Sequence, residues 1–272
     1  MPVLGTNTSA NSALIYLNQN SRAMEKSLAR LSSGSRIVRA SDDAAGLAVA
    51  TKLKSDITVL KQAATNAVQA RSVIQTADGA LARVGDILQR MKSLAAQSNS
   101  GSVDATARGF INTEFVQLRS EIDAIANATT FNGATLIDGN YNQNFQVGIA
   151  ASSTIAVDFS AIDANITALG IGTAGVDTVA NATAASGLLD TAINSISTAR
   201  ATAGSLLSRF EYRGAVIDDA VENLSSAYSA IMDVDIAAEQ ANLVTRQVLM
   251  EASIAALAQA NQMKSSLLSL LR

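Results

Sequence analysis

Four residues of this sequence, Gly170, Gly172, Gly175 and Asp190, have types and a spacing that could bind a dinucleotide. The glycines spell G-x-G-x-x-G, in which a tight turn lets the backbone approach a pyrophosphate, and a ribose-binding acid is expected about 20 residues further on. Such a site needs a strand before the glycines and a helix after them within a βαβ unit. The sequence predicts no such unit, so we interpret the match as a product of the Gly-, Thr- and Ala-rich composition of this segment.

A second group of residues is arranged like the beginning of a calcium-binding loop. Asp138, Asn140 and Asn142 match the first, third and fifth positions of such a loop. The sixth position, where the loop needs glycine, is Gln143, and the twelfth, where it needs glutamate, is Ile149. The segment is therefore predicted to form an ordinary turn.

Residues that could perform acid–base or nucleophilic catalysis are scarce. The chain contains no His and no Cys, which excludes the commonest general base and thiolate nucleophiles. Serine is abundant, but without His or a suitably placed Lys it lacks an activating base. Asp233 and Asp235, at i and i+2, would point away from each other on a helix, and we predict that they break or cap a helix. The sequence therefore predicts no enzyme activity, no cofactor and no metal site.

The composition is typical of an assembly of helices. Hydrophobic residues make up 48% of the chain and aromatic residues only 4%, so the core must consist mainly of Ala, Leu, Ile and Val. The one proline is Pro2, so long helices meet no interior breaker. The net charge of −3 argues against non-specific binding to nucleic acid. The uncharged N-terminal stretch is too rich in Asn, Ser and Thr for a membrane span, and no membrane insertion is predicted.

Heptad patterns in four segments predict coiled-coil or bundle helices. The second helix should begin after Ser41, Asp42 and Asp43, which resemble an N-cap and an acidic first turn, and end near Asn99. The third should end near Asn127. The heptad positions of the first segment are Leu14, Leu17, Ser21, Met24, Leu28 and Leu31, and those of the second are Ala70, Ile74, Ala77, Leu81, Val84, Leu88, Met91 and Ala95. Those of the third are Ile111, Phe115, Leu118, Ile122 and Ile125. Those of the fourth are Ile193, Ile196, Arg200, Ala203, Leu207, Phe210, Gly214, Ile217, Val221, Leu224, Tyr228 and Ile231, of which Arg200 and Gly214 do not fit the apolar pattern.

The residues after Asp235 form a different pattern. Ile236, Leu243, Met250 and Leu257 repeat every seven residues, and further Ala and Val residues widen the apolar stripe. A helix with so little polar surface is normally buried on several sides. One chain of this length has too little material to bury it, so neighbouring molecules are expected to do so.

The middle of the chain predicts a small β-hairpin followed by a loop. Asn144–Val147 and Thr154–Phe159 have the alternation of two short strands. Residues 160–187 are expected to be an irregular surface loop. No Lys or Arg occurs between Arg119 and Arg200 while seven acidic residues do, which indicates either a solvated loop face or an anionic outer surface of an assembly.

Several runs of residues resemble the signatures of bacterial flagellins. Near the N-terminus these are Leu31–Ile37 (LSSGSRI) and Asp42–Ala48 (DDAAGLA). The C-terminal signatures are similar to Asn223–Ala227, Ala256–Gln262 and Leu268–Arg272, and the mid-chain marks to Phe131–Gly133 and Gln146–Gly148. Together they follow the family order over most of the chain, which is far more specific than any single motif above.

The resemblance implies a mainly α fold, a long antiparallel coiled-coil or helical bundle rod with one small β-hairpin and discontinuous domains. Residues 1–42 and 232–272 would form an inner coiled-coil domain in which the N- and C-terminal helices pair. Residues 43–159 and 188–231 would form a rod domain of three long helices and the hairpin. Residues 160–187 would be a short surface loop in place of the outer domains of longer relatives.

The resemblance also implies function and partners. The chain would be exported by the flagellar type III apparatus and polymerise with copies of itself into the extracellular filament that drives swimming. An export chaperone would hold the C-terminal segment, and filament cap and junction proteins would be further partners. The residues expected to pack the inner coil and join subunits are Leu14, Leu17, Met24, Leu28, Leu31, Ile236, Leu243, Met250, Leu257 and Leu271.

One further surface resembles the stretch by which a vertebrate innate-immune receptor detects many flagellins. Gln89, Arg90 and Leu94 match this pattern on the second helix, and Glu114 matches it on the third. Leu118 departs from the pattern, which usually has Arg there. Because Arg90 and Leu94 lie at i and i+4, they are expected to share a helix face; the alternative interpretation is that these residues serve subunit packing.

Two alternatives remain at this point. A hook–filament junction protein shares the terminal pattern but does not polymerise into a filament. A secreted binding module would instead use its coiled coil to engage a receptor. Polymerisation of the purified protein on filament seeds separates a filament subunit from both.

Overall fold

The computed structural model of this chain describes residues 7–270, with side chains at every position in that range except 264 and 267–270. This part of the chain contains five α-helices and four short β-strands. The helices are α1 (Thr8–Ser33), α2 (Ala44–Ser98), α3 (Ala105–Ala128), α4 (Val179–Met232) and α5 (Ile236–Leu270). The strands are β1 (Thr130–Phe131), β2 (Ala134–Thr135), β3 (Asn142–Gln146) and β4 (Thr154–Asp158). The predicted mainly α fold is confirmed.

The chain divides into two compact units. The first contains Met1–Ser55 and Asn223–Arg272, and the second contains Asp56–Glu222. Helices α1 and α5 belong to the first unit, α3 and the strands belong to the second, and α2 and α4 contribute residues to both. The first unit is discontinuous, since it is built from both ends of the sequence.

The core of the second unit is centred on α2. Each of the eight apolar residues predicted between Ala70 and Ala95 is fully buried. Helix α3 adds Phe115 and Ile122 to this core, and its N-terminus is capped by Asp104, whose carboxylate accepts a hydrogen bond from the N–H of Ala107. The heptad pattern of α2 therefore identified the main packing surface of this unit.

Helix α4 follows the predicted stripe in part: Ile196, Ala203, Phe210 and Ile217 are buried as predicted. Ala192 and Ala199 are buried, where the heptad pattern assigned the adjacent Ile193 and Arg200. Arg200 is exposed instead, and its Nε donates a hydrogen bond to Asp78 of α2 at 2.9 Å. The prediction was wrong at these positions because it favoured larger side chains, whereas buried alanines let two helices approach closely.

Helix α4 also begins earlier than predicted, inside the segment expected to be a loop. The hydroxyl of Thr178 accepts a hydrogen bond from the N–H of Asn181 at 3.1 Å, which stabilises the first turn. Ala182 and Ala185 are buried one and two turns later. The alanine-rich start of α4 combines high helix propensity with close packing.

The β3–β4 hairpin is antiparallel, with Asn142 opposite Asp158 and Gln146 opposite Thr154. Phe145 of β3 packs edge-to-face on Phe210 of α4, with ring centroids 6.1 Å apart. The predicted hairpin is confirmed.

The turn of this hairpin is open to solvent. It is closed by a hydrogen bond from the N–H of Ser153 to the carbonyl of Ala150 at 2.9 Å, and its central residues, Ala151 and Ser152, are exposed.

A second, two-residue pair, β1–β2, was not predicted. It is closed by Asn132 and Gly133, with φ values of 50° and 82°. Asn and Gly tolerate such positive φ values, which a tight hairpin turn requires.

The segment between β4 and α4 is packed rather than a solvated loop. Its apolar residues Ile162, Ala164, Leu169, Ile171, Ala174 and Val176 are buried. Its backbone is also held by α3: the Arg119 guanidinium donates to the carbonyl of Ala174, and the Asn112 side chain accepts from the N–H of Val176, each at 2.8 Å. The prediction of a surface loop over residues 160–187 was wrong here because the short sequence spacing of these apolar residues fits neither helix nor strand.

The first unit contains α1, α5 and the segments that join them to α2 and α4. Gly34 ends α1 with a left-handed φ of 69°, as expected for a helix C-terminal glycine. Backbone hydrogen bonds then link the two junctions, from Arg36 to the carbonyl of Met232 at 2.6 Å and from Val234 to that of Gly34 at 3.1 Å. Asp235 caps α5 by accepting from the N–H of Ala238 at 3.0 Å, which confirms its predicted capping role.

None of the helices in the described range has an apolar stretch long enough to span a bilayer. Across the same residues, no group of three or more Asp or Glu side chains is arranged to hold a metal ion.

Candidate assembly surfaces

Helices α1 and α5 form an antiparallel pair, and this pair carries the residues predicted to join subunits. Leu243 is buried, and Leu17, Met24, Leu31, Met250 and Leu257 are half-buried. Leu14, Leu28 and Ile236 are exposed. Leu271 lies outside the described residues. One chain therefore covers only part of the predicted stripe.

Many other large apolar side chains of this pair are also open to solvent. On α1 these are Ile15 and Tyr16, and on α5 they are Val244, Val248, Leu249, Ile254 and Met263. By contrast, the buried apolar residues described in the whole first unit are Ile37, Ala50, Met232, Leu243 and Ala260. Exposed apolar surface on this scale is typical of a protein–protein interface.

The sequence indicated only some of these exposed residues. Val244 and Val248 widen the predicted stripe of α5, whereas Ile15, Tyr16, Ile254 and Met263 lie outside the positions that the heptad analysis favoured. The sequence feature that could have identified them is the presence of large apolar residues on more than one face of the same helix.

Among the described residues, polar contacts join α1 and its N-cap residue, Asn7, to α5. The Asn7 amide donates to the carbonyl of Ala260 at 3.1 Å, and an Arg246 Nη1 lies 3.4 Å from the Asn20 Oδ1. The Arg30 Nη1 lies 3.6 Å from a Glu239 carboxylate oxygen. Asn20 and Glu239 are buried.

An ion pair holds the segment that follows α1. The Lys26 ammonium lies 2.7 Å from the Asp42 carboxylate. The hydrogen bond from Lys26 and, to a smaller extent, the hydrogen bond from the N–H of Arg39 lower the pKa of Asp42 from 3.8 to about 2. The pair therefore stays charged until the pH falls toward that value.

The predicted receptor patch is only partly exposed to solvent. Arg90 donates two hydrogen bonds to one carboxylate oxygen of Glu114, at 2.9 and 2.7 Å, and Gln89 is exposed beside it. Leu94 is only 1% exposed and belongs to the core of the second unit. The expectation that Arg90 and Leu94 share an accessible face was wrong, because Leu94 adjoins the buried stripe of α2.

The motifs that could have bound ligands have structural roles in this fold. Gly170 has φ of +71° in the packed segment before α4, and Asp190 pairs with Lys92. The Asp138 carboxylate accepts hydrogen bonds from the Thr135 hydroxyl and the N–H of Asn140, which lower its pKa and define a turn.

Two family profiles match most of the chain. The profile of the bacterial flagellin N-terminal helical region matches residues 4–142, and that of the bacterial flagellin C-terminal helical region matches residues 187–271. The unmatched residues between them include the packed segment that precedes α4.

Relatives resemble the chain over nearly its full length. A flagellin of Halalkalibacterium halodurans is 39% identical, with 95% of this chain and 94% of that protein covered. A flagellin of Bacillus subtilis is 38% identical, with 98% of each covered. The flagellar filament 33 kDa core protein of Treponema phagedenis is 37% identical, with 99% of this chain and all of that protein covered.

A solved structure is similar to part of the chain. The crystal structure of Bacillus cereus flagellin is 34% identical and superposes with a TM-score of 0.51, covering 56% of this chain and 87% of that one.

Proposed function

Since this chain belongs to the bacterial flagellin family and is therefore a structural subunit of the flagellar filament, not an enzyme, we propose that α1 and α5 carry its main polymerisation surface. The single observation that supports this assignment is the exposed apolar residues of the pair. They are more numerous than the apolar residues that the first unit buries. Burial of apolar surface is the dominant favourable term in association and contributes about 25 cal/mol of free energy per Å².

The residues proposed to make these contacts include the three exposed members of the predicted set, Leu14, Leu28 and Ile236. The half-buried members would serve both the α1–α5 pair and its neighbours. We retain residues 1–42 and 232–272 as the proposed assembly domain.

Electron microscopy of purified full-length protein tests the proposal. After addition of short filament seeds, the protein should elongate them, and the same seeds in buffer alone should not grow. A junction protein, which shares the terminal pattern, would attach without extending the filament. Absence of growth at every protein concentration would reject the proposed polymerisation surface.

The same surface supports the proposed partners during export. Exposed apolar residues on α5, such as Val248 and Ile254, would promote premature association in the cytoplasm. A chaperone that covers the C-terminal segment before type III export would prevent this. Filament cap and junction proteins would meet the same residues at the ends of the filament.

We further propose that the accessible residues Gln89, Arg90 and Glu114 are detected by a vertebrate innate-immune receptor on the free subunit. Their side chains are exposed on neighbouring helices, and the Arg90–Glu114 pair is preformed. Leu94 would not contact the receptor and would contribute only by packing in the core of the second unit.

Arg90→Ala is expected to weaken receptor signalling by monomer about 5- to 30-fold, the effect of losing 1–2 kcal/mol of interface energy. The assay compares wild-type monomer, cross-linked filament and the variant monomer in a receptor-reporter cell. Arg83→Ala is the control, because Arg83 is also exposed on α2 and paired with an acid, Asp86. Equal signals from Arg90→Ala and wild-type monomer would reject this site.

A further inference from the structure

We propose that Arg246, in the groove between α1 and α5, binds Glu251 of the partner subunit when the chain polymerises. The inference rests on the proposed polymerisation surface and deepens it, because it names the pair of charges that joins two copies. The two residues lie on different sides of α5, so the groove of one copy would receive a different surface of the next.

The groove is formed by both helices and is open to solvent. Its volume of about 460 Å³ is enough to admit a side chain of another molecule. Exposed apolar residues of both helices, Tyr16 and Leu249, line it, and among its described lining residues Arg246 is the one that carries a charge. Apolar walls around a single cation fit a carboxylate that projects from an apolar surface.

The Arg246 guanidinium is poorly paired within its own chain. Its Nη1 lies 3.4 Å from the Asn20 Oδ1, which is at the long end of the hydrogen-bond range. A guanidinium has more N–H donors than this one contact uses. Among the described residues no other acceptor lies within hydrogen-bond distance of it, so its remaining donors are available to a carboxylate in the groove.

Glu251 is the matching charge on another surface of α5. It is exposed, and the exposed apolar residues Val248 and Ile254 lie three positions before and after it, on the same face of the helix. In the part of the chain that the structure describes, the Glu251 carboxylate has no ion pair or hydrogen bond. A copy that covers these apolar side chains also covers the carboxylate between them. A carboxylate buried without a cation is strongly destabilising, so the covering surface is expected to supply one.

The two charges are not placed to pair within one chain. Residues that are five positions apart on an α-helix are separated by about 140° around its axis, whereas side chains that pair on a helix lie at i,i+3 or i,i+4. Arg246 and Glu251 therefore face different sides of α5. A contact between two different surfaces of identical copies is heterologous, and heterologous contacts that do not close into a ring build open helical filaments.

The other described charges of α1 and α5 have an opposite charge close by in their own chain. Lys26 contacts a carboxylate of the segment after α1, and Arg30 lies against the buried Glu239. Arg22 and Glu25 lie at i and i+3 on α1, a spacing at which opposite charges attract each other. The cation of the groove and the isolated carboxylate of α5 remain, one of each sign.

Charge reversal in the full-length chain tests the pairing. Arg246→Glu and Glu251→Arg should each elongate wild-type seeds at least about tenfold more slowly than wild-type chain, because like charges then meet at every contact. An equal mixture of the two variants should elongate seeds within about threefold of the wild-type rate, because in alternating copies each charge meets an opposite one. Both positions are exposed in the single chain, so the circular dichroism of the monomers should not change.

The matched control is a mixture of Glu251→Arg with Arg22→Glu, which reverses an exposed arginine of α1 outside the groove. Glu251→Arg is isotope-labelled, and its share of the sedimented filaments is measured by mass spectrometry. In the control mixture this share should be at most about one tenth of that reached with Arg246→Glu. A mixture of Arg246→Glu with Glu25→Arg, which reverses an exposed acid of α1, should likewise not restore elongation.

Normal elongation by either single variant would overturn the pairing, and so would an equal mixture that stays inactive. Rescue of Arg246→Glu by Glu25→Arg would overturn it too, because the groove would then bind a different acid. These results leave the proposed function intact as long as wild-type chain elongates the seeds. Wild-type chain that does not elongate them would reject the proposed polymerisation surface and the pairing together.

Discussion

Leu243→Asp is expected to abolish filament growth at protein concentrations where wild-type chain elongates seeds completely. Leu243 is 9% exposed and lies in the α1–α5 pair. The substitution removes about 1.5–3 kcal/mol of apolar burial and places a carboxylate one turn from the buried Glu239. A buried charge without a partner is destabilising by several kcal/mol more. Sedimentation of polymer and electron microscopy measure the loss.

Asn242→Asp is the matched control, because it adds the same charge at the adjacent, exposed position of α5. It should assemble like wild type. Leu243→Ala, which removes the side chain without adding charge, should give an intermediate yield. Circular dichroism should show that the second unit keeps its thermal transition in all three variants. Normal filaments from Leu243→Asp would show that this position is not packed during assembly.

Phe210→Ala is expected to lower the free energy of unfolding of the second unit by about 3–5 kcal/mol. Phe210 is fully buried, and its ring joins α4 to the hairpin through the edge-to-face contact with Phe145. Truncation leaves a cavity and also removes an aromatic pair worth about 0.5–1.5 kcal/mol beyond its burial. Denaturant unfolding followed by circular dichroism measures the change.

Tyr212→Ala removes an aromatic ring from the same helix two residues away, but Tyr212 is 77% exposed. Its effect should stay within about 0.5 kcal/mol. A loss of similar size in both variants would mean that the destabilisation does not come from the buried contact of Phe210. A negligible loss in Phe210→Ala would show that the core collapses around the missing ring.

The sequence predicted the large-residue core better than the small-residue core. On α2, Leu81, Leu88 and Met91 recur at heptad spacing, and all are buried as expected. On α4 the same method chose Ile193 over the buried Ala192. Alanine gives a weak hydrophobic signal, although its size decides how closely two helices pack. Sequence periodicity alone could not decide whether a large apolar residue or an adjacent alanine is buried at the helix contact.

The functional surfaces show a similar division. The apolar stripe of α5 was visible in the sequence because its members repeat at a fixed spacing. The contact of Arg30 with Glu239 was not, since it depends on how two helices from opposite ends of the chain are aligned. Leu94 was misplaced for a related reason: helical spacing relates it to Arg90, but only the packing of α2 in the second unit decides which of the two is covered.

The open turn of the β3–β4 hairpin makes the chain a candidate carrier for foreign peptides. A guest sequence inserted between Ala151 and Ser152 would interrupt a single hydrogen bond, that from Ser153 to Ala150, at residues already in contact with solvent. The same guest placed after Ala174 would detach a backbone segment that Arg119 and Asn112 tie to α3. An antigen or enzyme-binding tag grafted at the hairpin would be repeated once per subunit, so a single gene fusion could yield a fibre decorated at regular intervals.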